Sequence, residues 1–297
     1  MPITTDTLSR QEAPERVHYA TGVMLSAEDF QAEQDYHRGR LARALAYGAG
    51  HGTLAGLAVA YQPGQAATDT RPALAEALKV APGLAIDRIG RLIEVPATHC
   101  LNLPDWYAAQ LPLALAEAWH AADDLWEGSP AGVVLDLFLR FVTCPRGKTP
   151  AFAHDAFDSF DSITAARLRD SFEISAVLRP EQTPGLPEDP WEAVTPGDAG
   201  SLREAIFAAW REDSEAHGGE ALSPGAEHVP GQDPSALLLA RVILPADPAP
   251  PGQPPVRRSG EPVTPRNDLR RFVVTTAALA RWLEIPLTTR INEETTP

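Results

Sequence analysis

Cysteine and methionine are scarce, two of each in 297 residues. Cys100 and Cys144 allow one disulfide and exclude a disulfide framework; two free thiols are the ordinary expectation. Basic residues are also short: 25 against 40 acidic ones, for a formal net charge of −15. A chain so charged has no general attraction to nucleic acid or anionic lipid. No apolar run approaches the roughly 20 residues that cross a bilayer. The best stretch, GVVLDLFLRFV, carries Asp136 and Arg140. Direct membrane insertion is therefore not expected. The opening MPITTDTLSRQEAPER lacks the basic and apolar regions of a signal peptide, which points to synthesis in the cytoplasm without general secretory export.

Signatures of familiar chemistry are missing as well. The sequence holds no GxxxxGK[ST] loop, GxGxxG, GxSxG elbow or HExxH pair. Three weaker groupings remain. His154, Asp155, Asp158 and Asp161 lie close together, and carboxylates with a histidine can take a divalent cation. Their spacing matches no EF-hand, and a solvated loop anchored by Phe152, Phe157 and Phe160 is the simpler reading. His99 precedes Cys100, but neighbours in sequence make no dyad, and Cys144 lies far away. His37 falls on the apolar side of a helix, where a hydrogen-bonded core or interface role is commoner than metal ligation. No catalytic residue, cofactor or metal site is expected. A cytosolic ligand- or metal-binding protein or enzyme using the His154–Asp161 cluster is the alternative.

What is present is pattern. Ser26 begins a helix, with Asp29 completing a capping box and Leu25 and Phe30 placed as a hydrophobic staple. The helix should run to about Tyr47, with Phe30, His37, Leu41, Ala44 and Leu45 as its apolar stripe. Glu28, Asp29, Glu33 and Asp35 load its first half; Arg38, Arg40 and Arg43 load its second, matching the helix dipole. Leu57, Val59 and Tyr61 alternate as a strand. Leu78 to Val95, punctuated by Pro82-Gly83 and Asp87-Arg88-Ile89-Gly90, reads as a three-stranded meander. Pro104 to Trp126 reads as helical, broken near Pro112.

GVVLDLFLRFV is the strongest strand. Val133, Leu135, Leu137, Leu139 and Phe141 share one face, and Asp136 and Arg140 lie on the other, so the second face should be only partly covered. SFEISAVL (171–178), ALLLARVIL (236–244) and RRFVV (270–274) read as further strands. Ser201 and Glu204 read as a second capping box, with Leu202, Ile206 and Trp210 along one helix face. A last helix spans Thr276 to Glu284. Strand–helix alternation is absent, which argues against doubly wound sheets and TIM barrels. The expected class is α+β and β-rich: an antiparallel β-sandwich-like body with an N-terminal helix, further attached helices and long Pro-rich surface loops. Its divisions are an N-terminal arm (1–16), a helix-plus-sandwich domain (17–178) with a helical insertion (about 104–127), and a C-terminal part (179–297). That last part either completes the same domain or forms a small second one. Its Pro-rich stretches at 180–191 and 245–265 could carry a partner.

VHYATGVMLSAEDFQAEQDYHRGRL followed by LKVAPGLAIDRIGRLIEVP resembles a family of baseplate and tail-associated proteins from phage-tail-like contractile injection systems. The matching positions are Tyr19, Gly22, Met24, Leu25, Asp29, Phe30, Glu33, Gln34, Tyr36, Gly56, Leu57, Pro82, Gly83, Asp87, Gly90 and Arg91. The start is also similar to the β-sandwich shoulder domain of the type VI secretion baseplate adaptor. The family's usual Gly-Trp-Gly link reads Gly48-Ala49-Gly50-His51-Gly52 here. The resemblance implies a structural subunit without catalytic residues, part of an assembled tail-like particle. It would act by contact with other tail or baseplate subunits and as a homo-oligomer. The candidate assembly residues are Tyr19, Val23, Met24, Leu25, Phe30 and Tyr36.

Overall fold

The computed structural model describes Leu8 and residues 15–68, 70, 72–150, 163–209, 222–250 and 252–284. Most of the N-terminal arm, the His154–Asp161 cluster and Trp210 lie outside the described residues. Helix α1 (Ala27–Gly48) leads into six short strands: β1 (Gly52–Gly56), β2 (Val59–Gln62), β3 (Ala77–Val80), β4 (Gly83–Ile86), β5 (Leu92–Val95) and β6 (His99–Asn102). Two short helices, α2 (Leu103–Ala108) and α3 (Pro112–Glu117), precede strand β7 (Trp119–His120). The long strand β8 (Gly132–Arg146) and β11 (Arg167–Leu178) flank the small pair β9 (Thr149–Pro150) and β10 (Ile163–Thr164). Helix α4 (Ala199–Ala208), strands β12 (Leu237–Asp247) and β13 (Val256–Arg257), a 3₁₀ turn at Asn267–Leu269 and helix α5 (Thr276–Trp282) complete the order.

The named strands all pair antiparallel. The largest sheet runs β11-β8-β12-β13, with β7 beside β8. Two three-stranded sheets, β1-β4-β5 and β2-β3-β6, stand apart from it. Alternation on β8 decides how they stack. Its Leu135, Leu137, Leu139 and Phe141 join Val59, Leu78, Val80, Ile93 and Val95 of the small sheets, and Leu57 between β1 and β2, in one buried cluster. Leu239, Val242 and Leu244 of β12 belong to the same cluster. The result is a β-sandwich-like α+β body, as the strand patterns imply.

The second face of β8 is covered too. Phe138 packs with Ala236 and Leu238, and the His228 ring lies 5.7 Å away. Asp136 is fully buried and takes both guanidinium groups that reach it. Arg241 binds its two oxygens at 2.8 Å each, and Arg179 reaches Oδ2 at 2.7 Å. These arginines also donate to the carbonyls of Pro184, Gly185 and Glu227. The cluster thus ties the first Pro-rich loop and the 227 segment onto the sheet. Burying two cations on Asp136 is tolerable because loop carbonyls and the Glu181 carboxylate, 3.1 Å from Arg179 Nε, accept further N–H groups. The second Pro-rich loop is held similarly: Arg257 forks onto Glu76 at 2.7 and 3.0 Å, and Tyr61 donates to the same carboxylate.

Several elements differ from expectation. Strands β3 and β4 do not form a hairpin. They belong to different sheets, because Gly83 abuts β1, where a Cβ would sit 2.3 Å from the Ala55 oxygen. Gly83 is therefore required for close approach rather than for a type II turn. The strand expected from Leu57 begins only at Val59, as β2, because Leu57 at φ 57° lies in the link that follows an unexpected strand β1. The helix expected up to Trp126 ends at Glu117, and Trp119 and His120 pair with Val133 and Gly132 instead. Helix α4 is capped by Asp198, not Ser201: the Asp198 carboxylate accepts from the Gly200 and Ser201 amides. Residues 270–274 give a lone parallel bridge, Phe272 to Thr53, rather than a full strand. Helix α5 stops at Trp282, short of Glu284.

Candidate functional site

Helix α1 starts as its sequence dictates. The Ser26 amide donates to Asp29 Oδ2 at 2.7 Å, and the Asp29 amide donates to Ser26 Oγ at 3.4 Å, closing the capping box. The segment before the cap folds back along the helix, since the Tyr19 hydroxyl donates to Glu33 Oε2 at 2.9 Å. That bond and the Glu33 charge raise the Tyr19 phenol above its ordinary value. The His37 ring meets Glu33 Oε1 at 3.1 Å, and the Arg40 guanidinium lies 5.5 Å over the Tyr36 ring.

The helix rests on the body by its smallest residues. Gly39 and Ala42 are its buried positions. Ala42 sits on Gly90, where a Cβ would come within 1.9 Å of the Ala42 oxygen. Gly90 has φ 100°, the left-handed conformation that glycine accepts without strain. Asp87 shapes this turn: its Oδ1 accepts the amides of Ile89, Gly90 and Arg91, and its Oδ2 accepts Arg91 Nε at 2.6 Å. Burial pushes the Asp87 carboxyl up against the pull of those donors. Arg91 in turn stacks on Phe141 and reaches Ser235. The helix platform is therefore wired into the main sheet.

Docking by small residues leaves most of the expected apolar stripe outside: Leu41 is 61% and Phe30 54% exposed, His37 and Ala44 are exposed, and only Leu45 is half-buried. Met24, ahead of the cap, is 93% exposed. Tyr19, Val23, Leu25 and Tyr47 are exposed as well, and Tyr36 is half-buried. Five of the six candidate assembly residues are thus exposed, all within the segment leading into α1 and its first turn. His37 is exposed and bonded to Glu33, so it is not a core residue. The two later helices that the sequence predicts also leave apolar residues outside. On α4, Ile206 and Phe207 are exposed, and on α5 Leu279 and Trp282 are exposed; neither helix has a buried residue. Their apolar spacing was readable, but spacing does not tell whether the chain itself covers the face.

The remaining polar clusters hold the fold. Asp136, Glu76 and Asp87 each have arginine partners and loop or turn contacts. Arg270 is buried, donates to the Leu57 carbonyl and pairs with Asn267, and burial pulls its guanidinium down to about 10. Cys100 and Cys144 are both free and lie on strands of different sheets. His99 and Cys100 are successive in β6 and so point to opposite faces, with His99 edge-on to Phe172. Among the described residues no group of three or more His, Cys, Asp and Glu side chains is placed to hold a metal ion. No described helix is long and apolar enough to cross a membrane. A shallow depression between His51, Pro187, Glu227 and Arg271 has an empty volume of about 230 Å³, open solvent included. Compared with protein-family models and with curated proteins, the chain matches none.

Proposed function

We propose that this protein is a structural subunit of a phage-tail-like contractile injection machine, baseplate-associated, which acts by assembly rather than by catalysis. It is made in the cytoplasm and then built into the particle. One observation carries the reading. Tyr19, Val23, Met24 and Leu25, just ahead of a capped helix, and Phe30 in its first turns are all exposed, and the Asp87–Gly90 turn holds that helix at Ala42. Large apolar groups on a fixed platform with a charged margin are what an interface core requires. The N-terminal motifs resembling tail and baseplate proteins supply the kind of partner, a neighbouring subunit.

The test is isolation of contractile particles from cells carrying a tagged copy of this chain. The reading expects the tag in purified particles, at a stoichiometry fixed relative to sheath or baseplate subunits. Particles that assemble and contract without any trace of the chain would refute it.

A further inference from the structure

Helix α1 carries a seam of exposed positions that the body does not cover, although His37 and the flanking Glu33 bond each other and Glu33 also accepts from Tyr19. Ala27, Gln34 and Leu41 alternate with Phe30, His37 and Ala44 at steps of four and three residues, the a/d seam of a two-helix coil. All six positions are exposed. At about 100° per residue this seam points away from Gly39 and Ala42, the positions that rest on the body. The seam is flanked on one side by Glu33 and Arg40, each one place before an a position.

Charge picks the occupant. The whole chain, at −15, repels most acidic neighbours and its own copies. Along α1 the balance is different: four carboxylates at Glu28, Asp29, Glu33 and Asp35, then three arginines at Arg38, Arg40 and Arg43. The order reverses about the helix midpoint. A copy turned end for end therefore lays its basic half along the acidic half of the first and opposes the two helix dipoles. Parallel alignment would set the four carboxylates beside the same four.

We infer that two copies of this chain pair through antiparallel α1 helices, deepening the assembly reading above by naming a second copy as the partner of this face. Phe30 of one copy packs on Leu41 of the other, Gln34 meets His37, and Ala27 meets Ala44. Glu33 of each copy faces Arg40 of the other, so the contact is isologous and closes as a two-fold pair.

Sedimentation of the full chain over a range of concentrations tests this. The wild type should show a concentration-dependent dimer. Glu33→Arg or Arg40→Glu alone should weaken it by roughly tenfold or more, because each breaks both symmetric ion pairs and sets like charges together. The double variant Glu33→Arg/Arg40→Glu should recover the dimer, since the reciprocal pairs re-form. Circular dichroism should show every variant helical and folded. A wild type monomeric at all concentrations would overturn the pairing and give the face to an unlike subunit. Weakened singles with no rescue in the double would overturn the antiparallel register. Particle incorporation is scored separately: a dimer never found in particles defeats the function proposed above and leaves the pairing standing, whereas an incorporated monomer does the reverse.

Discussion

Gly90 and Ala42 meet backbone to backbone, and no side chain fits between them. Gly90→Ala adds both a clash and a strained φ, and should cost about 2–4 kcal/mol in urea unfolding; a change under 0.5 kcal/mol would show that the helix does not rest there. Asp136→Ala leaves buried Arg241 without its carboxylate and Arg179 with Glu181 alone, and should cost about 3–5 kcal/mol by the same measurement. Tyrosines give the pH test. Burial pushes Tyr61 and Tyr107 up to about 12, Tyr61 being held further by its bond to Glu76. Folding then favours the neutral phenol, so their contribution is intact below the ordinary value of about 10 and is lost as pH rises through 12. An absorbance titration of the phenolate band should show two late steps, removed by Tyr61→Phe and Tyr107→Phe. At this scale the sequence was half legible. Gly90 in a turn and Asp136 on the second face of β8 could be read directly. The convergence of Arg179 and Arg241 on Asp136 could not, because they lie 43 and 105 positions away.

Among elements, the N-terminal helix was the most readable, since its cap is local chemistry: Ser26 and Asp29 sit three residues apart and satisfy each other's backbone. Ser26→Ala should remove about 1 kcal/mol of helix stability. The first half of α1 is largely exposed, so the loss should appear as faster amide exchange over residues 27–32 rather than as a lower global melting temperature. Helix α4 misled for the same local reason. Its Ser201–Glu204 spacing imitates a capping box, while Asp198 holds the actual start with two amides. The Leu78–Val95 stretch misled because a tight hairpin and a crossover between sheets can carry one pattern of alternation. Only the contact of Gly83 with Ala55 and Gly56 distinguishes them, and that contact is made across space.

For the molecule as a whole, the three-sheet core and the arginine ties explain how an acidic, Pro-rich chain is held together. The Pro-rich loops do not hang free. Removing 246–262 would take away β13 and the Arg257–Glu76 pair, so it should destabilise the body as well as strip a surface. The core needs no help from the N-terminal apolar residues, and that separation is the centre of the account. Met24→Asp and Phe30→Asp should therefore leave the unfolding free energy of the isolated chain within about 0.5 kcal/mol of wild type. The decisive measurement pairs that value with the amount of each variant recovered in purified contractile particles. Stability should be unchanged and incorporation abolished; full incorporation of both stable variants would show that these side chains make no assembly contact.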